Sequence, residues 1–268
     1  MYRHALKVLL PVLLAAPVPA IAETPEPGEI VDRMIAAAGG EAFSKIGVLK
    51  LEVEQDETRN DGSGTSRAYT AYVDTAHLEN QRIEFPGDVV VAHHGAGGWS
   101  TKGGTMDDRP QTSSMAHKTL NQTLFPLLLP YSLKMEGVWV REATEATLEG
   151  RKVWVLAVPF AKGFFSSPVL TTTWIMVVAQ DDYSIVTYEF KPPVQYQDVS
   201  PMGIRYRILK QQEIGGAELA EQLLLIGINA TGTESGANRV TKIKASAQPW
   251  DAALFLSPAQ LEEFEKED

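Results

Sequence analysis

"TLNQTLFPLLLPYSLKMEG" (119–137) crowds Leu124, Phe125, Leu127, Leu128, Leu129 and Tyr131 into eight positions and sets Pro126 and Pro130 inside the run. Proline lacks an N–H and its ring clashes with the carbonyl four residues back, so no regular helix passes through such a stretch. The residues before it, "SSMAHKTLNQTLF" (113–125), read as a helix capped by Ser113 or Ser114. Pro126 then ends that helix, and 127–129 form a bent apolar segment. Two roles are open for the segment: a plug or lid over the concave face of a sheet, or the completion of a dry core.

On both sides of this run the period is two. In "LKLEVE" (49–54), Leu49, Leu51 and Val53 alternate with Lys50, Glu52 and Glu54, which marks a strand with one wet face. Strands follow near 65–74, 77–85, 89–94 and 99–101, then a polar loop at 103–114. Beyond the greasy run, strands are read near 137–147, 152–159, 170–180, 184–191, 203–213, 219–231 and 239–248. Glu149-Gly150, Asp181-Asp182 and Gly215-Gly216 mark tight connections between them. "TTTWIMVVA" (171–179) is apolar at both parities and predicts a strand covered on both faces. Helices are predicted at 25–40, stopped by Gly39-Gly40, and at the tail "LSPAQLEEFEKED". There Ser257, Pro258 and Gln260 form a capping box. No βαβ rhythm occurs, so the fold class is mainly β (α+β): one curved antiparallel sheet, an incomplete β-barrel, wrapped around a few helices.

The start of the chain reads as an export signal. Arg3, His4 and Lys7 precede the apolar "ALKVLLPVLLAAPVPA", and Ala20-Ile21-Ala22 offers small residues for cleavage after Ala22. Prolines break this run, which is short for a membrane span of about 20 residues. The expected organisation is a signal peptide at 1–22 and a single domain at 23–268, located in the periplasm. The chain holds no cysteine, which excludes a lipid-modified N-terminus, disulfides and thiolate metal sites. Its net charge is −10, and two units more negative without Arg3 and Lys7. Such a surface repels phosphate backbones and anionic bilayers, so nucleic-acid binding and stable membrane insertion are not expected.

Catalytic signatures are weak. No G-x-S-x-G elbow occurs. His94, Asp88 and Ser113 are the only triad worth naming, and chance explains them better. His93 and His94 are adjacent, so on a strand they point to opposite faces and cannot share a metal, and His117 lies on another element. "GAGGWS" is a hairpin turn, not a phosphate cradle. Asp107-Asp108 and Asp181-Asp182 are turn residues. No catalytic residue, metal or cofactor is expected.

The remaining signal is apolar. Trp139, Trp154 and Trp174 fall on three consecutive strands, and Phe164 and Phe165 fill "PFAKGFFSSP". Together with Leu124, Phe125, Leu128, Met176 and Tyr188 they make a candidate cavity lining, core packing being the plain alternative for each.

A helix ending "AAAGGEAFSKI", antiparallel strands, an inserted helix ending "LFPLLLP", and further strands carrying "WIMVVAQDDYSIVTYEF" together resemble the LolA/LolB-like lipoprotein-localisation fold, in particular its periplasmic outer-membrane lipoprotein-sorting relatives. The resemblance covers nearly all of 23–268. It implies a half-barrel around helices with an apolar cavity for acyl chains, no catalytic residues and no cofactor. The sequence departs from the carriers proper by extra loops at 103–114 and 191–203. Some relatives of this fold sense envelope ligands and bind a partner protein. Three functions follow: a periplasmic binder of a hydrophobic small molecule or lipid, an interaction module docking an envelope protein with a filled core, or a hydrolase with a scattered site.

Overall fold

The alternation at 49–54 belongs to β1 (Val48–Thr58), whose residues 49, 51, 53 and 55 are buried while 52, 54 and 56 face water. The computed structural model describes residues 24–95, 97–166, 173–190, 203–229 and 232–267. The expected signal peptide, the start of the strand read at 170–180 and nearly all of the loop at 191–203 lie outside these residues.

The chain opens with α1 (Pro27–Ala37) and the short α2 (Gly40–Phe43). Ile30, Val31 and Met34 form the buried stripe of α1. Between the helices Gly39 sits at φ 80°, in the left-handed region that glycine enters without strain. A Cβ there would also lie 2.1 Å from the Gly216 carbonyl oxygen, so no other residue fits.

After β1 come β2 (Gly64–Asp74), β3 (Gln81–Phe85), β4 (Val89–His94), β5 (Gly97–Lys102) and β6 (Thr105–Met106). The strand expected at 77–85 starts only at Gln81, because Asp74 turns the preceding residues. Its carboxylate accepts the Ala76 and His77 N–H groups at 3.0 and 3.2 Å and the Asn80 amide at 3.1 Å. The expected polar loop at 103–114 is shorter than read: Gly103-Gly104 turn the chain into β6, and α3 (Thr112–Leu124) begins at Thr112. Neither Ser113 nor Ser114 caps α3. The Ser113 hydroxyl instead accepts the Gly98 N–H at 2.9 Å and ties the helix to β5.

The second half carries β7 (Glu142–Leu148), β8 (Arg151–Val158), β9 (Trp174–Ala179), β10 (Ile185–Phe190), β11 (Gly203–Ile214), β12 (Ala217–Ile228) and β13 (Glu234–Gln248). The chain closes with a 3₁₀ turn at Ala252–Leu254 and α4 (Pro258–Glu267). The first of these strands starts at 142, not 137, because 137–141 runs as a connection bridged by Val138 and Phe160. β9 is not covered on both faces: Ile175 is 36% exposed while Trp174 and Met176 are buried.

Among the described residues the strands form one antiparallel sheet in the order β6-β5-β4-β3-β2-β1-β13-β12-β11-β10-β9-β8-β7, not closed into a barrel. The two ends of the chain meet at its centre, where β1 pairs β13 from Val48↔Gln248 to Thr58↔Asn238. The face carrying Leu51, Tyr69 and Ile243 packs against the helices. The broken run fills the middle of that face. After α3 it forms 3₁₀ turns at Phe125–Leu127 and Tyr131–Lys134, and every residue from 124 to 133 is buried. Phe125, Leu129 and Leu133 enter one half of the core and Leu124, Leu127, Leu128 and Tyr131 the other, so the segment joins two apolar clusters. Carbonyls left unpaired by the irregular backbone find side chains: Tyr188 donates its hydroxyl to Pro126 O at 3.1 Å, and Ser132 to Phe125 O at 2.8 Å.

Candidate functional site

Cross-strand register aligns one side chain per strand into rows across the inner face. One row runs Glu57, Arg239, Leu225, Tyr206, Tyr188 and Met176, each directly opposite the next. The neighbouring row runs Arg67, Gln55, Thr241 and Leu223. Greasy and cationic groups are thus placed side by side on the face that elsewhere forms the core.

These rows border a cavity of about 420 Å³ between the sheet and the end of α3. Leu127, Phe165, Trp174, Ile204, Leu223 and Leu225 make its apolar wall. Thr119, Gln122 and Thr123 of α3 and Ser166 add polar groups opposite the sheet. Phe165 is held over the cavity by its neighbours: the Asn121 amide donates to Phe164 O at 3.2 Å, and the Ser166 hydroxyl donates to the Gln122 side chain. Trp174 stacks on Tyr206 with centroids 5.8 Å apart, and Tyr206 stacks on Tyr188 at 4.6 Å.

The polar rim is organised by hydrogen bonds. Arg67 Nε donates to Gln55 Oε1 at 2.6 Å, and Gln55 Nε2 to Thr241 Oγ1 at 3.3 Å. Arg239 Nη2 donates to Glu57 Oε2 at 2.6 Å, and this bond holds the Glu57 carboxyl below the usual range. Arg67 has no carboxylate partner among the described residues. Tyr69 is 95% buried against Phe85 at the cavity wall, and its hydroxyl has no hydrogen-bond partner among the described residues. Burial pushes the phenols of Tyr69 and Tyr206 up, while Arg67 and Arg239 pull both down, so the two guanidinium groups act on both hydroxyls.

Other hollows lie elsewhere, one of about 710 Å³ between α2 and Gly215 among them. A groove of about 920 Å³ mixes apolar residues such as Val53, Phe85 and Ile243 with ion-paired ones, Lys244 pairing Glu52 at 3.4 Å and Lys210 pairing Glu221. Another hollow of about 920 Å³ lies beside α2, with His93 and His117 in its wall. Their rings are 4.9 Å apart, so His93 does reach a histidine on another element. Burial, then His93, pushes the His117 imidazole down. Among the described residues no group of three or more His, Asp or Glu could hold a metal ion.

Of the ten residues expected to line a cavity, Phe165 and Trp174 do so here. Leu124, Phe125, Leu128, Trp154, Phe164, Met176 and Tyr188 are buried in the packed interior, where Phe125 meets Phe160, Phe164, Phe165 and Trp174 edge-on at 5.1–6.1 Å. Trp139 lies apart from the others. It is 45% exposed, with Arg141 over its ring, because it precedes β7 in a surface connection. Sequence reasoning passed over Arg67, Arg239 and Gln55. Parity was the available signal: Arg67 shares that of Tyr69, Ala71 and Val73, Arg239 that of Thr241 and Ile243, and Gln55 that of Leu51 and Val53.

No protein-family model matches the sequence, and no curated protein matches it. Solved structures do. A LolA superfamily protein from Nitrosomonas europaea superposes with a TM-score of 0.58 at 12% identity, over 88% of this chain and 100% of that one. A DUF1329 family protein from Desulfovibrio piger gives 0.53 at 13%, over 90% and 99%. A domain from Vibrio parahaemolyticus described as an outer membrane lipoprotein-sorting protein gives 0.52 at 11%, over 90% and 97%. Identities this low carry the fold and nothing finer: this chain has a LolA-like fold.

Proposed function

We propose that this chain is an exported, non-catalytic binding protein for a hydrophobic ligand, a lipid or acyl chain. In this reading residues 1–22 are a signal peptide cleaved after Ala22, and 23–268 are one half-barrel domain working in the periplasm. The observation that carries the proposal is the 420 Å³ cavity on the inner face, where an apolar wall next to the core meets a polar rim. Its size falls in the range of about 300–1,000 Å³ of small-molecule sites, and its lining sets the apolar side chains of Leu127, Phe165, Leu223 and Leu225 beside Gln55, Arg67, Gln122, Arg239 and Thr241. The LolA-like fold agrees with it.

The test is native mass spectrometry of protein recovered from its own periplasm, with a Leu225→Trp variant beside it. Wild type should carry a lipid-sized adduct, and an indole filling the cavity should remove the adduct while the fold persists. Wild type free of adduct, with no thermal stabilisation by added fatty acid, would favour a partner-docking module instead. N-terminal sequencing of the same material should begin at Glu23, and an intact Met1 would sink the export reading.

A further inference from the structure

We infer that the ligand of this cavity is an anionic amphiphile, its single charged head held by Arg67, Arg239 and the Tyr69 hydroxyl and its chain lying on the apolar wall. The inference rests on the binding reading above and names its substrate class.

The argument begins with what the fold leaves unpaired. A buried polar group without a partner is costly, and natural proteins keep few of them. The Tyr69 hydroxyl is such a group, and the Tyr69 side chain lines the cavity whose rim also carries the two arginines. Arg67, exposed at the rim, gives one N–H to a neutral amide and pairs with no carboxylate among the described residues, which leaves its remaining N–H donors for a guest. Arg239 is shared with Glu57. Counting those three charges, the rim is cationic by one unit, inside a chain whose net charge is −10. Tyr206 adds a second phenol to the lining, and a phenol is a neutral hydrogen-bond donor at neutral pH. The convergent groups are therefore mainly donors. A carboxylate or phosphate accepts from several donors at once, and such charge-assisted bonds are the strong ones. A neutral alcohol or ester offers no charge to the guanidinium groups. Beside this rim the wall of Leu127, Phe165, Trp174 and Leu225 suits an alkyl chain. Head and tail contacts are both present in one cavity, which is the pattern an amphiphile requires.

The test compares four probes of equal chain length by calorimetry: dodecanoate, dodecyl phosphate, dodecanol and methyl dodecanoate. Wild type should bind the anions about tenfold or more tightly than the neutral pair. Whichever of dodecanoate and dodecyl phosphate binds tighter assigns the head as carboxylate or phosphate. Arg67→Gln should erase most of the preference for the anions. Tyr69→Phe should weaken the anions several-fold while the ligand-free protein melts no lower than wild type, because an unpaired hydroxyl has been removed. A purely structural role for Tyr69 would not give that combination. Equal binding of anions and neutral probes, or a preference that survives Arg67→Gln, would overturn the anionic-head inference and leave the hydrophobic-binder reading standing. No binding of any probe to folded wild type would overturn both.

Discussion

Leu128 is fully buried and lines none of the hollows described above. Its truncation removes packed atoms and leaves a hole that the two joined clusters cannot close, so Leu128→Ala should cost about 2–5 kcal/mol. Denaturant unfolding reads this directly, and a loss well under about 1 kcal/mol would mean that the broken run faces empty space after all. Asp74 makes a different kind of prediction. Burial pushes its carboxyl up, but the bonds from Asn80, Ala76 and His77 outweigh that and hold it below the usual range. A carboxyl depressed in the folded state adds stability that is present above the unfolded value of about 3.9 and is lost as pH falls through the lower folded value. Unfolding free energies taken at neutral pH and through the acid limb should therefore fall more steeply for wild type than for Asp74→Asn. Parallel curves would show that Asp74 does not carry the acid sensitivity.

Elements are held at their ends by single groups, and these differ in how readable they were. The capping box of α4 was legible, because its chemistry is local. Ser257 N–H donates to Gln260 Oε1 at 2.9 Å, and Gln260 N–H to Ser257 Oγ at 3.3 Å. Ser257→Ala should cost about 1 kcal/mol, seen as earlier unfolding of wild-type-like protein by circular dichroism. An unchanged midpoint would mean that α4 adds nothing to the cooperative unit. The start of α3 was misread for the complementary reason. Ser113 looks like a cap, yet a residue on β5 claims its hydroxyl, and sequence distance hides that competitor. The same contact demands glycine at 98, where a Cβ would stand 2.6 Å from the Ser113 carbonyl oxygen. Strand parity was equally legible, since Leu49, Leu51 and Val53 announce the inner face of β1 in six residues. What parity cannot give is the neighbour. That β1 lies beside β13, and hence that Arg67, Gln55 and Thr241 form one row, is set by long-range pairing. The cavity stayed hidden because its rim is drawn from residues 172 positions apart along the chain, Arg67 and Arg239.

A sheet that does not close must manage its two outer strands, and this one does so unequally. At one end β6 is two residues long and offers little to pair with. At the other, β7 runs for seven residues, and among the described residues it pairs only with β8. Its protection is charge, because Glu142 and Glu145 are exposed along it and Glu149 sits in the turn to β8. Strand addition by a second molecule would bring like charges together at β-sheet spacing, where each such pair is unfavourable. The acidic whole molecule reinforces this repulsion at long range. Replacing both carboxylates with β-formers removes the local barrier while leaving the core untouched, since neither side chain is buried. Glu142→Val combined with Glu145→Val should therefore leave the melting temperature close to wild type and raise self-association. Sedimentation velocity across a concentration series measures it, and the effect should grow with added salt, which screens the remaining net charge. If the double variant sediments as wild type does at every concentration and salt, charge on β7 is not what keeps this open sheet from pairing with itself.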